Sequence, residues 1–406
     1  MTWPLPSKPA APTRRTLLGA GAAVAATLSA PAILRADNAP LNLGVLTALT
    51  GAGGADGPRM LRAIQAVGTE INAAGGVLGR QLTFTVEDDQ TNPESAVRAA
   101  HKLIDVDRVP VIMGTWASAV TTAVAPVCWE SKTFLTTVSG ADGITLLPHQ
   151  GYLIRTQPNN YLQGGRHAEF IAALGMKRVY LMSIQSPFTI PTQNRVKEVL
   201  AKNGSELVGA LIYEKDKTSY RSEVDQALRE KPDLIYINGY TPDVVVVLRE
   251  LYRAGFDGPR FAQSYAVTQK VLDSLPQEVT EKVYTVQPSA DIDSPAYALA
   301  KKRLGGDPDS YEAQATDWIS LVALTIAKAK EATGTALRDN VRKISQGDGT
   351  KVYSAVEGLK LLADGKDINY EGASGPCDFT DIGDIRDCKF RFQIVESGKF
   401  KLVSVQ

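Results

Sequence analysis

Residues 109–136 read VPVIMGTWASAVTTAVAPVCWESKTFLT, and their order of apolar, small and polar residues indicates the fold class. The apolar run from Val109 to Met113 predicts a buried strand, Gly114 ends it, and an apolar helix follows Ser118. Residues Lys132 to Thr136 predict a second strand. A strand, a helix and a second strand in succession predict two parallel strands with the helix packed on the sheet.

The same alternation extends along the chain in both directions. Upstream we predict strands at 41–46 and 81–87, with helices at 58–74 and 92–104. A second set begins near Asn160, with strands at 178–183, 206–213, 234–238 and 260–263, and helices at 192–203, 222–230 and 244–254. Helices at 309–331 and 335–344 and a strand at 389–396 follow. The predicted fold class is therefore α/β, with two successive doubly wound lobes built on parallel sheets.

The N-terminal segment has the pattern of an export signal. Arg14 and Arg15 precede an uncharged, Ala- and Leu-rich stretch from Leu17 to Leu34. The paired arginines indicate the twin-arginine route, and cleavage is expected after Ala32 or Ala36. A membrane anchor is the alternative, but the stretch is short and Pro31 interrupts it. We therefore assign residues 1–36 to a cleaved signal peptide and expect the mature protein in the periplasm.

Composition excludes several classes of function. The chain has 44 basic and 44 acidic residues, and this balance argues against a nucleic-acid surface. A mature chain of about 370 residues is long enough for two domains. Its three histidines lie in no recognisable catalytic signature, and neither a nucleophile elbow nor a phosphate-binding loop occurs. We expect a protein that is not an enzyme and that needs no metal or cofactor.

Two of the three cysteines lie close together in the sequence. A hairpin turning at Ile382-Gly383 would place Cys377 opposite Cys388, where a disulfide could form in an oxidising compartment. We predict this disulfide, with two unpaired thiols as the alternative. Cys128 lies in the apolar helix and is expected to be buried.

Several stretches, in this order, resemble the periplasmic binding proteins for branched-chain amino acids and related ligands, which are partners of ABC transporters. The resemblance covers about Leu41 to Val405. It rests on Leu49-Thr50-Gly51, on INAAGGVLGR at 71–80, on EDDQTNP at 87–93, on Gly114 to Ser118, on Gly239-Tyr240-Thr241-Pro242 and on YEGASGP at 370–376.

The resemblance implies a type I periplasmic-binding fold, in which two lobes are joined by three hinge crossovers near Thr156, Val286 and Lys389. The first lobe would comprise 37–157 and 287–389, and the second 158–286 and 390–406. The implied function is that of a monomeric solute-binding protein, which captures a small organic ligand between the lobes and presents it to permease subunits. A periplasmic ligand-sensing receptor is the alternative.

In the first lobe, the resemblance places the ligand at the ends of two strands. Ser118, with Trp116 and Ala117 before it, opens a helix whose amides and dipole can hold a carboxylate. An ordinary helix cap is the alternative interpretation of Ser118. Ser139, Gly140 and Ala141 follow the next strand and are expected to contact the ligand, although they would also suit a simple turn.

In the second lobe, the resemblance points to aromatic walls. Phe188, Tyr240 and Tyr265 are expected to face the ligand, with core packing as the alternative for each aromatic residue. Amino-acid binders of the family carry an acid at the position of Ser264 or Tyr265, and both residues here are uncharged. Asp56 stands where the family often has an aromatic residue, and it would either pair with a ligand ammonium or cap the helix beginning at Pro58.

Overall fold

The computed structural model describes Met1, Thr2, Pro4, residues 39–289 and residues 292–406. The predicted signal peptide therefore lies almost entirely outside the described residues. Pro40 to Gln406 form one compact unit. No helix in the described ranges is both long enough and apolar enough to cross a membrane.

The first sheet contains five parallel strands, in the spatial order β2-β1-β3-β4-β5. They are β1 (Leu41–Thr47), β2 (Leu82–Asp88), β3 (Val111–Gly114), β4 (Phe134–Thr137) and β5 (Leu153–Arg155). The helices between them are α1 (Gly57–Ala73), α2 (Pro93–His101) and α3 (Ser118–Glu130). Helix α2 starts where predicted, because the Asn92 side chain accepts a hydrogen bond from the amide of Ser95 at 3.0 Å.

The next part of the chain builds five further parallel strands. They are β6 (Arg178–Ile184), β7 (Glu206–Tyr213), β8 (Leu234–Asn238), β9 (Arg260–Gln263) and β10 (Val283–Ser289). Six helices accompany them: α4 (Asn160–Ala173), α5 (Thr189–Lys202), α6 (Arg221–Arg229), α7 (Thr241–Arg253), α8 (Gln269–Ser274) and α9 (Gln277–Thr280).

The chain then adds a helical segment before it rejoins the second sheet. This segment contains α10 (Pro295–Leu304), α11 (Ser310–Ala329), α12 (Gly334–Ser345) and α13 (Ala355–Ala363), with a small sheet of β11 (Thr350–Val352), β12 (Ile368–Gly372) and β13 (Gly375–Pro376). Two strands end the chain: β14 (Lys389–Glu396) pairs antiparallel with β10, and β15 (Lys399–Val405) pairs antiparallel with β14. The second sheet therefore has seven strands, in the order β15-β14-β10-β9-β8-β6-β7.

The apolar cores follow the two sheets. One core draws its residues from 41–154 and 311–385, and we call this part the first lobe. Two other large cores draw theirs from 168–286 and 390–395, and we call that part the second lobe. The α/β class with parallel sheets is confirmed, and β7, β8 and β9 have the predicted bounds.

The segment after β5, which leads from the first sheet to the second, is held against α11. The hydroxyl of Thr156 accepts a hydrogen bond from the indole N–H of Trp318 at 2.9 Å. The side-chain oxygen of Gln157 accepts one from the side-chain amide of Gln314 at 2.7 Å. These buried bonds fix where the chain leaves the first lobe.

The predicted disulfide is wrong, because both Cys377 and Cys388 are free. The hairpin forms, but Phe379 pairs with Ile385, and the amide of Arg386 donates to the carbonyl of Asp378 at 2.9 Å. This pairing is displaced by one residue from the predicted one, and such a shift turns neighbouring side chains to opposite faces. The Cys377 side chain accordingly packs in the first-lobe core, whereas Cys388 packs against a second-lobe core.

Candidate functional site

Helix α3 presents its N-terminus at the carboxyl end of β3. Ala117 occupies the N-cap position and Ser118 is the first helical residue, so Ser118 is not the cap itself. The hydroxyl oxygen of Ser118 accepts a hydrogen bond from the amide of Ala141 at 3.2 Å. In the described chain the hydroxyl proton has no acceptor, and the first amides of a helix have none within it. This end of α3 therefore offers several donors to an anionic group.

The segment after β4 supports that helix end from below. Ser139 donates its hydroxyl to the carbonyl of Trp116 at 2.8 Å and lies beside Thr121 within a group of buried threonine hydroxyls. Ala141 is buried and uses its amide on Ser118. The structure therefore places Ser139 and Ala141 behind the pocket wall, whereas Gly140 reaches the pocket itself.

Glycine at position 140 makes room for two carboxamide side chains. A β-carbon there would lie 2.7 Å from Oδ1 of Asn160 and 2.8 Å from Nε2 of Gln163. Asn160 also donates to the carbonyl of Phe188 at 3.1 Å, and Gln163 donates to the carbonyl of Pro158 at 2.7 Å. The start of α4 is thus packed against the segment that follows β4.

Aromatic rings from both lobes meet above this helix end. The ring of Trp116, from the first lobe, lies 5.3 Å from that of Tyr240 and 5.4 Å from that of Tyr265. Tyr311, on α11, lies 6.2 Å from Trp116 with the rings nearly perpendicular. Burial raises the pKa of Tyr240 to about 12, and Asp89 and Asp243 add to that rise. The phenol is therefore neutral at physiological pH and serves as an apolar wall with a polar tip.

These groups line one pocket between the lobes, with about 410 Å³ of space that is partly open to solvent. Seven of the ten predicted site residues contribute to its lining: Trp116, Ala117, Ser118, Gly140, Phe188, Tyr240 and Tyr265. Six further lining residues are not among the predicted ones: Val138, Gln157, Asn160, Gln163, Gln263 and Tyr311. None of the lining side chains is charged.

Two of the missed residues had a usable signal in the sequence. Gln263 is the last residue of a strand that we predicted with the right bounds, and ligands bind beyond the carboxyl ends of such strands. Tyr311 stands in the first turn of a predicted helix. The other three carboxamides lie where the chain leaves the first lobe, in Gln157, Asn160 and Gln163. No pattern in the sequence shows that these side chains point into the pocket.

Asp56, the remaining predicted site residue, lies at a different place. It occupies the N-cap position of α1 but makes no capping hydrogen bond with its side chain. Asp56 lines a second cavity between the lobes, with about 660 Å³ of space, which Tyr265 and Tyr311 also line. Burial, helped by Asp309, raises the pKa of Asp56 to about 7.

Comparison with known proteins identifies relatives that cover most of this chain. A family model described as periplasmic binding protein matches residues 40–366. A Leu/Ile/Val-binding protein of Rhizobium johnstonii is 25% identical over 316 residues, which cover 74% of this chain and 84% of the relative.

Solved structures show the same fold. A leucine-binding protein from Thermotoga maritima superimposes with a TM-score of 0.76 at 21% identity, covering 90% of this chain and 98% of its own. A solute-binding protein of an ABC transporter from Rhodopseudomonas palustris, in complex with 4-hydroxybenzoate, gives a TM-score of 0.73 at 18% identity, covering 90% of this chain and 97% of its own.

Proposed function

We propose that this chain, which belongs to the periplasmic binding protein family, is the extracytoplasmic solute-binding component of an ABC importer. It captures a small organic ligand between its two lobes and does not transform it. The main support for this proposal is the pocket at Trp116, because its walls come from the carboxyl ends of parallel strands in both sheets. A ligand in that pocket contacts both lobes and links them.

The chemistry of the pocket favours a ligand with a carboxylate and an apolar or aromatic body. The carboxylate fits the N-terminus of α3, where Ser118 and the free helix amides supply donors and the helix dipole supplies positive potential. Trp116, Tyr240 and Tyr265 supply the aromatic walls. The carboxamides of Asn160, Gln163 and Gln263 suit hydroxyl, amide or carbonyl groups on the ligand.

The relatives support this ligand class. The Rhizobium relative is named for leucine, isoleucine and valine, and the R. palustris structure holds 4-hydroxybenzoate. Each of these ligands joins a carboxylate to an apolar or aromatic body. Amino acids, aromatic acids and their amides are therefore the compounds to test on this chain.

We also propose that the two lobes have the predicted boundaries, 37–157 with 287–389 for the first and 158–286 with 390–406 for the second. The lobes move relative to each other by bending at the three crossovers that join them. The division of the apolar cores between the two sheets supports them. Closure around a ligand removes water from the pocket and strengthens its polar contacts. The permease partner, export to the periplasm with loss of residues 1–36, and a monomeric state belong to the same proposal.

A thermal-shift screen tests the function directly. Amino acids, aromatic acids, amides and dicarboxylates are added to the mature protein, and a ligand at 100 times its Kd should add about 2.7 kcal/mol to the free energy of unfolding. Calorimetry on each hit then gives the stoichiometry, expected to be one per chain. If no compound of these classes raises the melting temperature, or if a hit is chemically converted, the proposal is wrong.

A further inference from the structure

The second cavity lies directly beside the proposed ligand pocket. Tyr265 and Tyr311 line both spaces, so the two cavities meet at these residues. The wall from the first lobe contains Asp56, Arg59 and Asp309. The wall from the second lobe is uncharged, and consists of Ser264, Tyr265, Val267, Thr268, Gln269, Thr285, Gln287, Gln393 and Phe400.

The charges on the first-lobe wall do not balance. The guanidinium of Arg59 pairs with Asp309 at 2.7 Å and with Glu312 at 3.1 Å, and Arg62 also pairs with Glu312. The backbone amide of Glu312 donates to Asp309 at 2.7 Å. Two cations are therefore matched by two carboxylates, and Asp56 is a third carboxylate beside them.

Asp56 is the group left over. Its residue is 4% exposed, and among the described residues its carboxylate has no hydrogen bond or ion pair. Burying a carboxylate without a partner costs free energy. A carboxylate in this state, facing a cavity next to a ligand pocket, has the chemistry of a receptor for a cation.

We propose that the second cavity accepts the cationic end of the ligand, a primary ammonium or a guanidinium, through Asp56, while the carboxylate of the same ligand binds at Ser118. This inference rests on the proposed function and narrows its ligand class to amphoteric molecules whose two charges lie at opposite ends. Tyr265 and Tyr311, which line both spaces, would flank the uncharged part of the ligand that joins its two charged ends.

A panel of matched ligands tests the inference without knowledge of the natural ligand. The probes are straight-chain ω-amino carboxylates from 4-aminobutanoate to 8-aminooctanoate, each compared with the alkanoate that has a methyl group in place of the ammonium. Calorimetry at pH 8 should show at least one length at which the ammonium probe binds about tenfold or more tightly than its methyl counterpart. In Asp56→Asn that preference should fall to within twofold.

Ser118→Ala is the control, because it should weaken both series by the same factor and leave the ammonium preference intact. The preference should also shrink as the pH falls from 8 to 6, since Asp56, which faces Asp309, Arg59, Glu312 and Tyr311, takes up a proton in that range. Melting temperatures of the variants establish that each one is folded.

The outcomes separate the two proposals. Equal or tighter binding by the methyl series at every length, or an ammonium preference that survives in Asp56→Asn, overturns the cation subsite alone. If neither series binds and the carboxylate screen gives no hit, the proposed function fails, and this inference fails with it.

Discussion

The hydroxyl oxygen of Ser118 accepts a hydrogen bond from the amide of Ala141 at 3.2 Å, and this bond leaves the hydroxyl proton available to a ligand. The same contact ties the N-terminus of α3 to the segment after β4. A side chain that could have been an ordinary helix cap is therefore held as a donor facing the pocket.

Ser118→Ala should weaken carboxylate binding roughly 10- to 100-fold, or about 1.5–3 kcal/mol, because it removes a hydrogen bond to a charged group. The measurement is calorimetry with the tightest hit of the screen. Thr122→Ala is a matched control, since Thr122 lies on the same helix and donates to the carbonyl of Ser118 at 2.8 Å without lining the pocket. Unchanged affinity in Ser118→Ala would place the carboxylate elsewhere.

Tyr240→Ala should lower affinity by a comparable factor, whereas Tyr240→Phe should retain most of it. The ring of Tyr240 contacts Trp116 across the lobes, and this aromatic contact survives in phenylalanine but is lost in alanine. Tyr252→Ala, on the exposed side of the same helix, is the control. If Tyr240→Phe binds as poorly as Tyr240→Ala, the hydroxyl matters more than the ring, and the assignment of an apolar wall is wrong.

The sequence predicts the strand ends well because burial and periodicity are local properties. Gly114 ends β3 and Trp116 and Ser118 follow it as expected, since an apolar strand and an apolar helix leave little freedom for the residues between them. The direction in which a side chain points is harder to predict. Ser139 satisfies its hydroxyl on Trp116 and Thr121 instead of facing the pocket, and only the packed structure brings those partners to it.

The hairpin at 377–388 illustrates the same limit at a finer scale. The residues of the hairpin are predicted correctly, but the turn is centred on Ile382 instead of between Ile382 and Gly383, with the amide of Thr380 donating to the carbonyl of Asp384 at 2.7 Å. In this position the carboxylate of Asp384 pairs with the buried guanidinium of Arg155, whose Nε donates to it at 2.9 Å. The observed register thus includes a contact with a residue more than 200 positions away in the sequence, and the spacing of residues within the hairpin cannot predict that contact.

Cys128, Cys377 and Cys388 should all react as free thiols once the protein is unfolded without a reductant. Burial raises the pKa of Cys128 to about 12 and raises the pKa of the other two thiols above the usual range, so alkylation of the native protein should be slow. Mass spectrometry after iodoacetamide treatment, with and without denaturant, counts the labels. If Cys377 and Cys388 are labelled only after reduction, the two residues form the disulfide that the sequence predicted.

Arg155→Leu should destabilise the fold by about 3–5 kcal/mol, because it leaves Asp384 buried without its cation. Arg155 also donates to the carbonyls of Ser139 and Ala141 at 3.1 and 2.7 Å, so the segment beside the pocket loses its support. Urea unfolding of Arg155→Leu, Asp384→Leu and the double variant measures the coupling. We expect the double variant to lose less unfolding free energy than the sum of the losses in the two single variants. A loss equal to that sum would show that Arg155 and Asp384 contribute independently.

Asp56→Asn should stabilise the free protein, and more at pH 8 than at pH 5. The folded protein holds the pKa of Asp56 at about 7, above its ordinary value of 3.8, so between these values the folded state binds more protons than the unfolded state. Stability from this group is therefore present at low pH and is lost as the pH rises towards 7 and above. The gain in unfolding free energy on Asp56→Asn should grow by about 2–3 kcal/mol from pH 5 to pH 8, because each unit of pKa difference corresponds to about 1.4 kcal/mol. Urea unfolding at both pH values provides the comparison, with Asp364→Asn, at an exposed position just beyond α13, as a control whose effect should not change.

A stabilised variant that has lost its preference for ammonium ligands would mean that Asp56 lowers the stability of the free protein in return for ligand selectivity. A gain that is the same at both pH values would mean that folding leaves the pKa of Asp56 at its ordinary value, so its carboxylate would not be held in the buried, unpartnered state on which the cation site is argued.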